Sequence, residues 1–231
     1  MKVVTGKPGA AGLLWGTTAP PIFGDLYYGG LRKAIDGFHV PLPDLGLKCL
    51  FQTAKAVEDH LEILRDENGM LKLIGHSQGG LIAVIHAASH PNTKVLTIGT
   101  PHRGSRVADL TCLLPRRVRE KVQAFDDMRP GSEFMQDYQP LLDSVAGSVV
   151  SLAATHDKIV HHRSSYIHGA SRNVLVVSSY DEYKKYFKLY GEAVDLRFEP
   201  KLGHITWVVK GLCKNFVREF CDTEPLRLAS A

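Results

Sequence analysis

A serine between two glycines is the residue of this chain best suited to nucleophilic chemistry. The segment Leu71-Lys-Leu-Ile-Gly-His-Ser-Gln-Gly-Gly places Ser77 in a Gly-x-Ser-x-Gly pattern, after a run typical of a strand and before a run typical of a helix. Serine is a weak nucleophile unless a base takes its proton and oriented N–H groups receive the developing negative charge. Gly75 and Gly79 leave room for a sharp turn that exposes the hydroxyl. We therefore predict that Ser77 attacks a carbonyl carbon.

The residues around Ser77 resemble those of a known enzyme family. Gly75-His-Ser-Gln-Gly-Gly-Leu is followed by Thr97-Ile-Gly-Thr-Pro-His-Arg-Gly-Ser and then by Met128-Arg-Pro-Gly-Ser-Glu-Phe. Over roughly residues 70–135 this set is similar to the bacterial true lipases and related esterases of the α/β-hydrolase superfamily. The resemblance implies an α/β-hydrolase fold and an acyl-enzyme mechanism, and it supports the fold and the chemistry more firmly than the substrate.

The catalytic acid is sought downstream of Ser77, because this superfamily orders its triad as serine, acid and histidine. Asp157 follows the predicted strand Ser148–Ala153, where a carboxylate can orient a histidine from the carboxyl end of the strand. Asp157-Lys-Ile-Val, followed by Ser164-Ser165, also resembles the acid loop of lipase-like esterases. We predict Asp157 as the acid. The competing residues, none of which follows a core strand in the same way, are Asp143, Asp181 and Asp195.

The predicted base is His204, one of eleven histidines in the chain. Leu202-Gly-His follows the last predicted strand and precedes a predicted helix over residues 205–220, which resembles the late Gly-His of the superfamily. His102, in the Pro-His-Arg-Gly segment, is assigned an ordering role in its loop. The remaining candidates are expected to be structural or solvated, and they are His76, His86, His161, His162 and His168.

Two backbone N–H groups are expected to form an oxyanion hole. One is that of Gln78, the residue after the nucleophile. The other normally follows the first strand, predicted here at Val3–Thr5. Lipases have His-Gly and an apolar residue at that point, whereas this chain has Lys7-Pro-Gly-Ala, so we predict the N–H of Ala10. Gly12-Leu13 is the rival segment.

Short apolar runs alternate with longer helical patterns, which indicates an α/β fold with a mostly parallel central sheet and helices on both faces. The pattern of Leu50–Asp66 predicts an amphipathic crossover helix, and a second, nearly all-apolar helix follows Ser77. Because two strands of larger relatives have no counterpart before the first one here, we expect a minimal α/β-hydrolase fold. The remaining predicted strands are Gly37–Val40, Leu71–Ile74, Lys94–Ile98, Asn173–Val177 and Val194–Phe198.

The length of 231 residues suits a single domain over residues 1–231. Residues 112–142 lack strand signals and are predicted to form a small cap of helices. Residues 178–202 read as an insertion rich in aromatic and charged residues. In order of preference, this insertion is interpreted as a helix packed on the domain, a lid, or a surface for a partner.

The bulk composition excludes several classes of function. A formal charge of +4 with no concentrated patch argues against nucleic-acid binding, and the chain has no apolar run long enough to span a membrane. Its four cysteines lack metal-site spacing and are expected to be free thiols. The amino terminus has no secretory pattern, so the chain as given is expected in the cytoplasm, or outside the cell if a leader was removed.

The leading hypothesis is a carboxylic-ester hydrolase that acts on acyl glycerides or similar apolar esters, with transient contact to a lipid interface. The alternatives are a thioesterase or an acyltransferase of the same fold, and a hydrolase-like binding protein without activity. No cofactor motif is found. Structural calcium is implied only by the resemblance to lipases, and no cluster of aspartates identifies a site for it. The sequence does not fix the oligomeric state.

Overall fold

Seven parallel strands form one sheet in the computed structural model, which describes residues 7–16, 35, 37–200, 203–204 and 211–222. The order across the sheet is β2-β1-β3-β4-β5-β6-β7, and every neighbouring pair is parallel. This confirms the predicted α/β class. The strands are β1 Ala11–Leu14, β2 Gly37–His39, β3 Leu71–His76, β4 Thr93–Ile98, β5 Val149–Ala154, β6 Arg172–Val177 and β7 Asp195–Phe198.

Helices cover both faces of the sheet. Their bounds are α1 Leu50–Glu62, α2 Gln78–Ser89, α3 Arg116–Arg119, α4 Gln123–Asp127, α5 Glu133–Val145, α6 His162–Ser165, α7 Tyr180–Tyr190 and α8 Gly211–Asp222. Successive residues of a strand point to opposite faces, so Leu73 packs with α1, α2 and α5 in one core cluster. Ile74 packs in the other cluster with Phe216 and Phe220 of α8.

The first described strand does not coincide with the predicted one. The predicted strand Val3–Thr5 lies outside the described residues, whereas β1 begins at Ala11 and is buried along its whole length. It pairs with β2 on one side and with β3 on the other, where Leu14 lies opposite Gly75. This register aligns the carboxyl end of β1 with the turn that contains Ser77.

Residues 112–142 contain α3, α4 and most of α5, and a 3-10 helix over Arg106–Leu113 precedes them. Residues 178–202 contain α7 and β7, so this segment forms a crossover that adds β7 to the edge of the sheet. Tyr186 of α7 is buried against Leu175 and Val177 of β6.

The four cysteines are free, and Cys213 of α8 is buried. Burial raises the pKa of the Cys213 thiol to about 12, so this thiol is inert at neutral pH. Among the helices that the structure describes, none combines the length and the apolar character that a membrane span requires.

Candidate active site

Ser77 occupies a strained turn between β3 and α2. Its φ of 54° and ψ of −124° lie in a region that residues with a side chain rarely adopt. The Ser77 N–H donates to the carbonyl of Ile98 in β4, and the Ser77 carbonyl accepts from the N–H of Gly80. Hydrogen bonds therefore hold the turn at both ends. The Ser77 side chain is only partly buried, at the carboxyl end of the sheet.

The glycines around Ser77 are required by close packing. A Cβ on Gly75 would lie 2.4 Å from the Cα of Gly80, and a Cβ on Gly79 would lie 2.4 Å from the carbonyl oxygens of Leu14 and Trp15. Any side chain at these positions would push α2 away from β1 and β3. The Gly-x-Ser-x-Gly pattern thus allows the helix to begin directly against the sheet.

The structure brings Asp157 and His204 into contact. Asp157 lies in the loop after β5, and its Oδ2 is 2.7 Å from Nδ1 of His204, which lies in the loop after β7. The exposed fractions of the two side chains are 1% for Asp157 and 9% for His204, so little water reaches this contact. The other carboxylate oxygen of Asp157 accepts hydrogen bonds from the N–H groups of Ile159 and Val160, at 2.9 and 2.8 Å.

His76, the neighbour of Ser77, links His204 to the turn that contains Ser77. Its Nε2–H donates to the His204 carbonyl at 2.9 Å, and the two imidazole rings lie 4.7 Å apart. Burial lowers the pKa of His76 to about 3, and repulsion from a charged His204 lowers it further, so His76 is neutral at pH 7. No motif predicts this hydrogen bond, which joins residues 128 positions apart.

The predicted site residues therefore meet at one end of the sheet. Within the described residues, the side-chain hydrogen bond of His204 runs to Asp157, and none joins His204 to the Ser77 hydroxyl. A loose serine–histidine contact is common before substrate binds.

The prediction that Ala10 supplies an oxyanion donor is wrong. Its N–H donates to the carbonyl of Lys7 at 3.0 Å, and it precedes β1, at the end of the sheet opposite to Ser77. Gly12 and Leu13 are also unsuitable because they lie inside β1 and pair with both neighbouring strands. The prediction took the donor loop to follow Val3–Thr5, whereas the strand that pairs with β3 begins at Ala11.

Gly16 is the described residue that follows β1 next to Ser77. A Cβ on Gly16 would lie 3.2 Å from the Cβ of Ser77 and 3.6 Å from its Oγ. Gln78 is the first residue of α2, the end of the helix at which the dipole is positive. Its buried side chain donates to the carbonyl of Gly46 at 2.7 Å, which fixes the residue beside Ser77.

Known proteins resemble this chain locally in sequence and more widely in structure. No family model matches the chain. A triacylglycerol lipase of Pseudarthrobacter phenanthrenivorans is 58% identical over 41 residues, which are 17% of this chain and 13% of the lipase. Lipase B of Aspergillus fumigatus superimposes with a TM-score of 0.62 at 13% identity, over 93% of this chain and 53% of the lipase chain. This chain therefore spans about half of that structure.

A second structure matches over nearly its whole length. MGS-M2, an α/β hydrolase from a deep-sea metagenome library, has a TM-score of 0.52 at 14% identity, over 96% of this chain and 92% of its own. The order of the parallel strands and the position of the Ser77 turn agree with this similarity. The chain has the α/β-hydrolase fold.

In this α/β-hydrolase fold, the loop after β4 is ordered by His102. The imidazole is fully buried, with Nδ1 2.7 Å from the Tyr138 hydroxyl and Nε2 3.1 Å from Oγ1 of Thr97. Burial lowers the pKa of His102 to about 3, and the nearby charge of Arg103 acts in the same direction. His102 is therefore a neutral residue that links the loop to β4 and α5.

Ser164 and Ser165 attach the loop that contains Asp157 to the loop after β4. Ser164 Oγ donates to the carbonyl of Gly104 at 2.6 Å, and Ser165 Oγ donates to the carbonyl of Thr100 at 2.9 Å. These bonds explain why the Thr-Pro-His-Arg-Gly-Ser segment and the Ser-Ser pair occur in one chain. Together they limit the movement of the loop that contains Asp157.

Structural calcium does not fit the residues that the structure brings together. Calcium prefers six to eight oxygen ligands. Over the described ranges, the one group of three metal-ligating side chains is Glu62, His86 and His90, which offers two imidazole nitrogens.

Proposed function

We propose that this chain is a serine carboxylic-ester hydrolase in which Ser77 is the nucleophile, His204 the general base and Asp157 the residue that orients the base. The observation that carries the proposal is the buried Asp157–His204 hydrogen bond, held by His76 beside a serine with a φ of 54°. The fold supports this order of residues, since the serine, the acid and the histidine follow β3, β5 and β7.

In the proposed mechanism, His204 donates its Nδ1–H to Asp157, which leaves the lone pair of Nε2 for the Ser77 proton. As the proton moves, a bond forms between Ser77 Oγ and the ester carbonyl carbon. Collapse of the tetrahedral intermediate breaks the bond to the alcohol, which takes the proton from His204. Water then attacks the acyl-enzyme by the same route and releases the acid. The two backbone hydrogen bonds to Asp157 keep its carboxylate from rotating away.

The proposed oxyanion donors are the N–H of Gln78 and the N–H of Gly16. Both stand next to the nucleophile, one at the start of α2 and the other at the end of β1. Donors fixed before reaction stabilise the developing charge without reorganisation, and loss of one typically lowers kcat by about 100- to 1000-fold.

The proposed substrates are acyl glycerides or similar apolar esters. Local similarity to a triacylglycerol lipase supports this class over 41 residues. We further propose one domain over residues 1–231, with 112–142 as its cap. Exposed leucines on the 3-10 helix that leads into this cap, Leu110 at 63% and Leu113 at 78% exposure, favour transient contact with a lipid interface.

Hydrolysis of p-nitrophenyl esters from acetyl to palmitoyl, with and without detergent micelles, tests the proposal. Wild type is expected to turn over at least one chain length, and Ser77→Ala should lose nearly all activity. Ser144→Ala is the matched control, because this exposed hydroxyl of α5 contacts only its own helix at Leu141, and it should retain wild-type rates. Turnover by Ser77→Ala at the wild-type rate would exclude Ser77 as the nucleophile.

The same assay separates the alternative functions. Faster cleavage of thioesters than of matched oxygen esters would identify a thioesterase, and transfer of the acyl group to an added alcohol in preference to water would identify an acyltransferase. Absence of turnover with every substrate would leave a binding protein and contradict the proposal.

A further inference from the structure

A cluster of two carboxylates and two imidazoles lies between α1 and α2, away from the proposed active site. Glu58 and Glu62 are four residues apart on α1, a spacing that places them on one face of the helix. His86 lies in the last turn of α2, and His90 directly follows the last residue of that helix. The two helices pack against each other, so the acidic pair of one faces the histidine pair of the other.

The distances within the cluster suit a small ion. His86 Nε2 is 3.0 Å from Oε1 of Glu62, and His90 Nε2 is 3.0 Å from Oε1 of Glu58. One ligand atom from each of Glu62, His86 and His90 lies within 4.8 Å of the others. Ligands of one zinc ion, each about 2.0–2.2 Å from it, are roughly 3–4 Å apart. Small side-chain rotations therefore suffice for all three to reach one ion.

The imidazole nitrogens have the chemistry of metal ligands. His90 Nδ1 lies 3.0 Å from the carbonyl of His86, and when it donates there, the neutral ring turns the lone pair of Nε2 toward the cluster. A second-sphere bond of this kind is typical of metal-ligating histidines. The two rings are stacked, with centroids 4.1 Å apart.

His86 has a polar atom that the surrounding protein does not satisfy. Its side chain is 1% exposed, and Nε2 has no hydrogen-bond partner among the residues described, although the Glu62 carboxylate is close. An unsatisfied buried nitrogen costs about 1–3 kcal/mol. A cation between His86 and Glu62 would bind the lone pair of one and the charge of the other.

Glu62 is already oriented for this role. Arg65 donates to both of its oxygens, from Nε to Oε2 at 2.6 Å and from an Nη to Oε1 at 2.9 Å. Arg65 thereby fixes the direction in which Oε1 faces His86.

We propose that Glu62, His86 and His90 bind one divalent cation of the zinc class, with Glu58 beside the fourth coordination position. Imidazole nitrogens combined with a carboxylate select zinc, nickel or copper over magnesium and calcium. His86 follows Ser77 by nine residues, or about 13 Å along α2. The ion therefore clamps α1 to α2 and takes no part in the chemistry at Ser77.

Titration calorimetry with Zn²⁺ on the EDTA-treated and dialysed full chain tests the site. Wild type is expected to bind one equivalent at this site, and Zn²⁺ at a hundredfold excess over its Kd should raise Tm by roughly 5–10 °C. His90→Asn and Glu62→Gln should each weaken this binding by about 30-fold or more and remove the rise in Tm. His60→Asn, which changes an exposed histidine of the same helix α1, is the matched control and should bind as wild type does.

Circular dichroism establishes that each variant is folded before Zn²⁺ is added. His90 and Glu62 are partly exposed, so their substitution is compatible with folding, whereas His86 is too buried for a simple test. The proposal is overturned if wild type binds no Zn²⁺, if both variants bind it as tightly as wild type, or if His60→Asn weakens binding as much as they do.

Discussion

The buried imidazole of His102 makes stability depend on pH in a direction that the structure defines. Burial lowers its pKa from 6.5 to about 3. Between these values the unfolded chain binds a proton that the folded chain does not, so stability falls as the pH falls. With those two pKa values, lowering the pH from 7 to 5 removes about 2 kcal/mol from the free energy of unfolding.

His102→Gln removes this titration while a side-chain amide can still bond to Tyr138 and Thr97. Urea unfolding at pH 7, 6 and 5 measures the free energy of unfolding for wild type, His102→Gln and the exposed-site control His60→Gln. Whatever its stability at pH 7, His102→Gln should lose about 2 kcal/mol less than wild type between pH 7 and 5. The control should follow wild type. Equal losses in wild type and His102→Gln would refute the reasoning.

Two further predictions concern the turn that contains Ser77. Gly80→Ala would place a Cβ 2.0 Å from Oγ1 of Thr100, so urea unfolding should show a loss of about 1–3 kcal/mol. Gly147→Ala, whose Cβ meets nothing within 4 Å, should change stability by under about 1 kcal/mol, and an equal cost for both would contradict the packing. His76→Leu removes the donor to the His204 carbonyl, so kcat for an ester should fall about 10- to 100-fold at constant KM. His76→Gln, which keeps an N–H donor, should recover part of kcat, and a change in KM alone would contradict a positioning role.

The sequence predicted which loops contain Ser77, Asp157 and His204, because each of these residues follows a run whose composition favours a strand. Val149–Ala154 and Leu71–His76 are rich in buried aliphatic residues, and the structure has both as strands within one or two residues of the predicted ends. Parallel strands bring their following loops to the same edge of a sheet. Once the strands are predicted, it follows that these loops lie close together.

The first strand could not be found in the same way. Ala11-Gly-Leu-Leu contains no β-branched residue, and its extended form depends on pairing with β2 and β3 on both sides. Val3–Thr5 has the stronger local preference for a strand, and choosing it led to Ala10 as an oxyanion donor. Pairing with both neighbouring strands, and not local strand preference, makes Ala11–Leu14 extended.

Contacts between residues that are far apart in the sequence could not be predicted from it either. The His76 bond to His204 depends on how a loop returns across the sheet. The cluster of Glu62, His86 and His90 depends on the packing of α1 against α2. Helical spacing identifies which side chains share a face, but it does not identify the helix that this face meets.

The most direct test of the central claim is titration of the chain with diethyl p-nitrophenyl phosphate. Attack by Ser77 Oγ forms a bond to phosphorus and expels p-nitrophenolate, and a stable phosphoserine ester remains because His204 cannot readily direct water at it. We predict a burst of one equivalent of p-nitrophenolate per chain, with the diethylphosphoryl group on Ser77 by peptide mass spectrometry and a much slower burst in His204→Ala. A burst absent from wild type, or an adduct on another residue, would contradict Ser77 as the nucleophile.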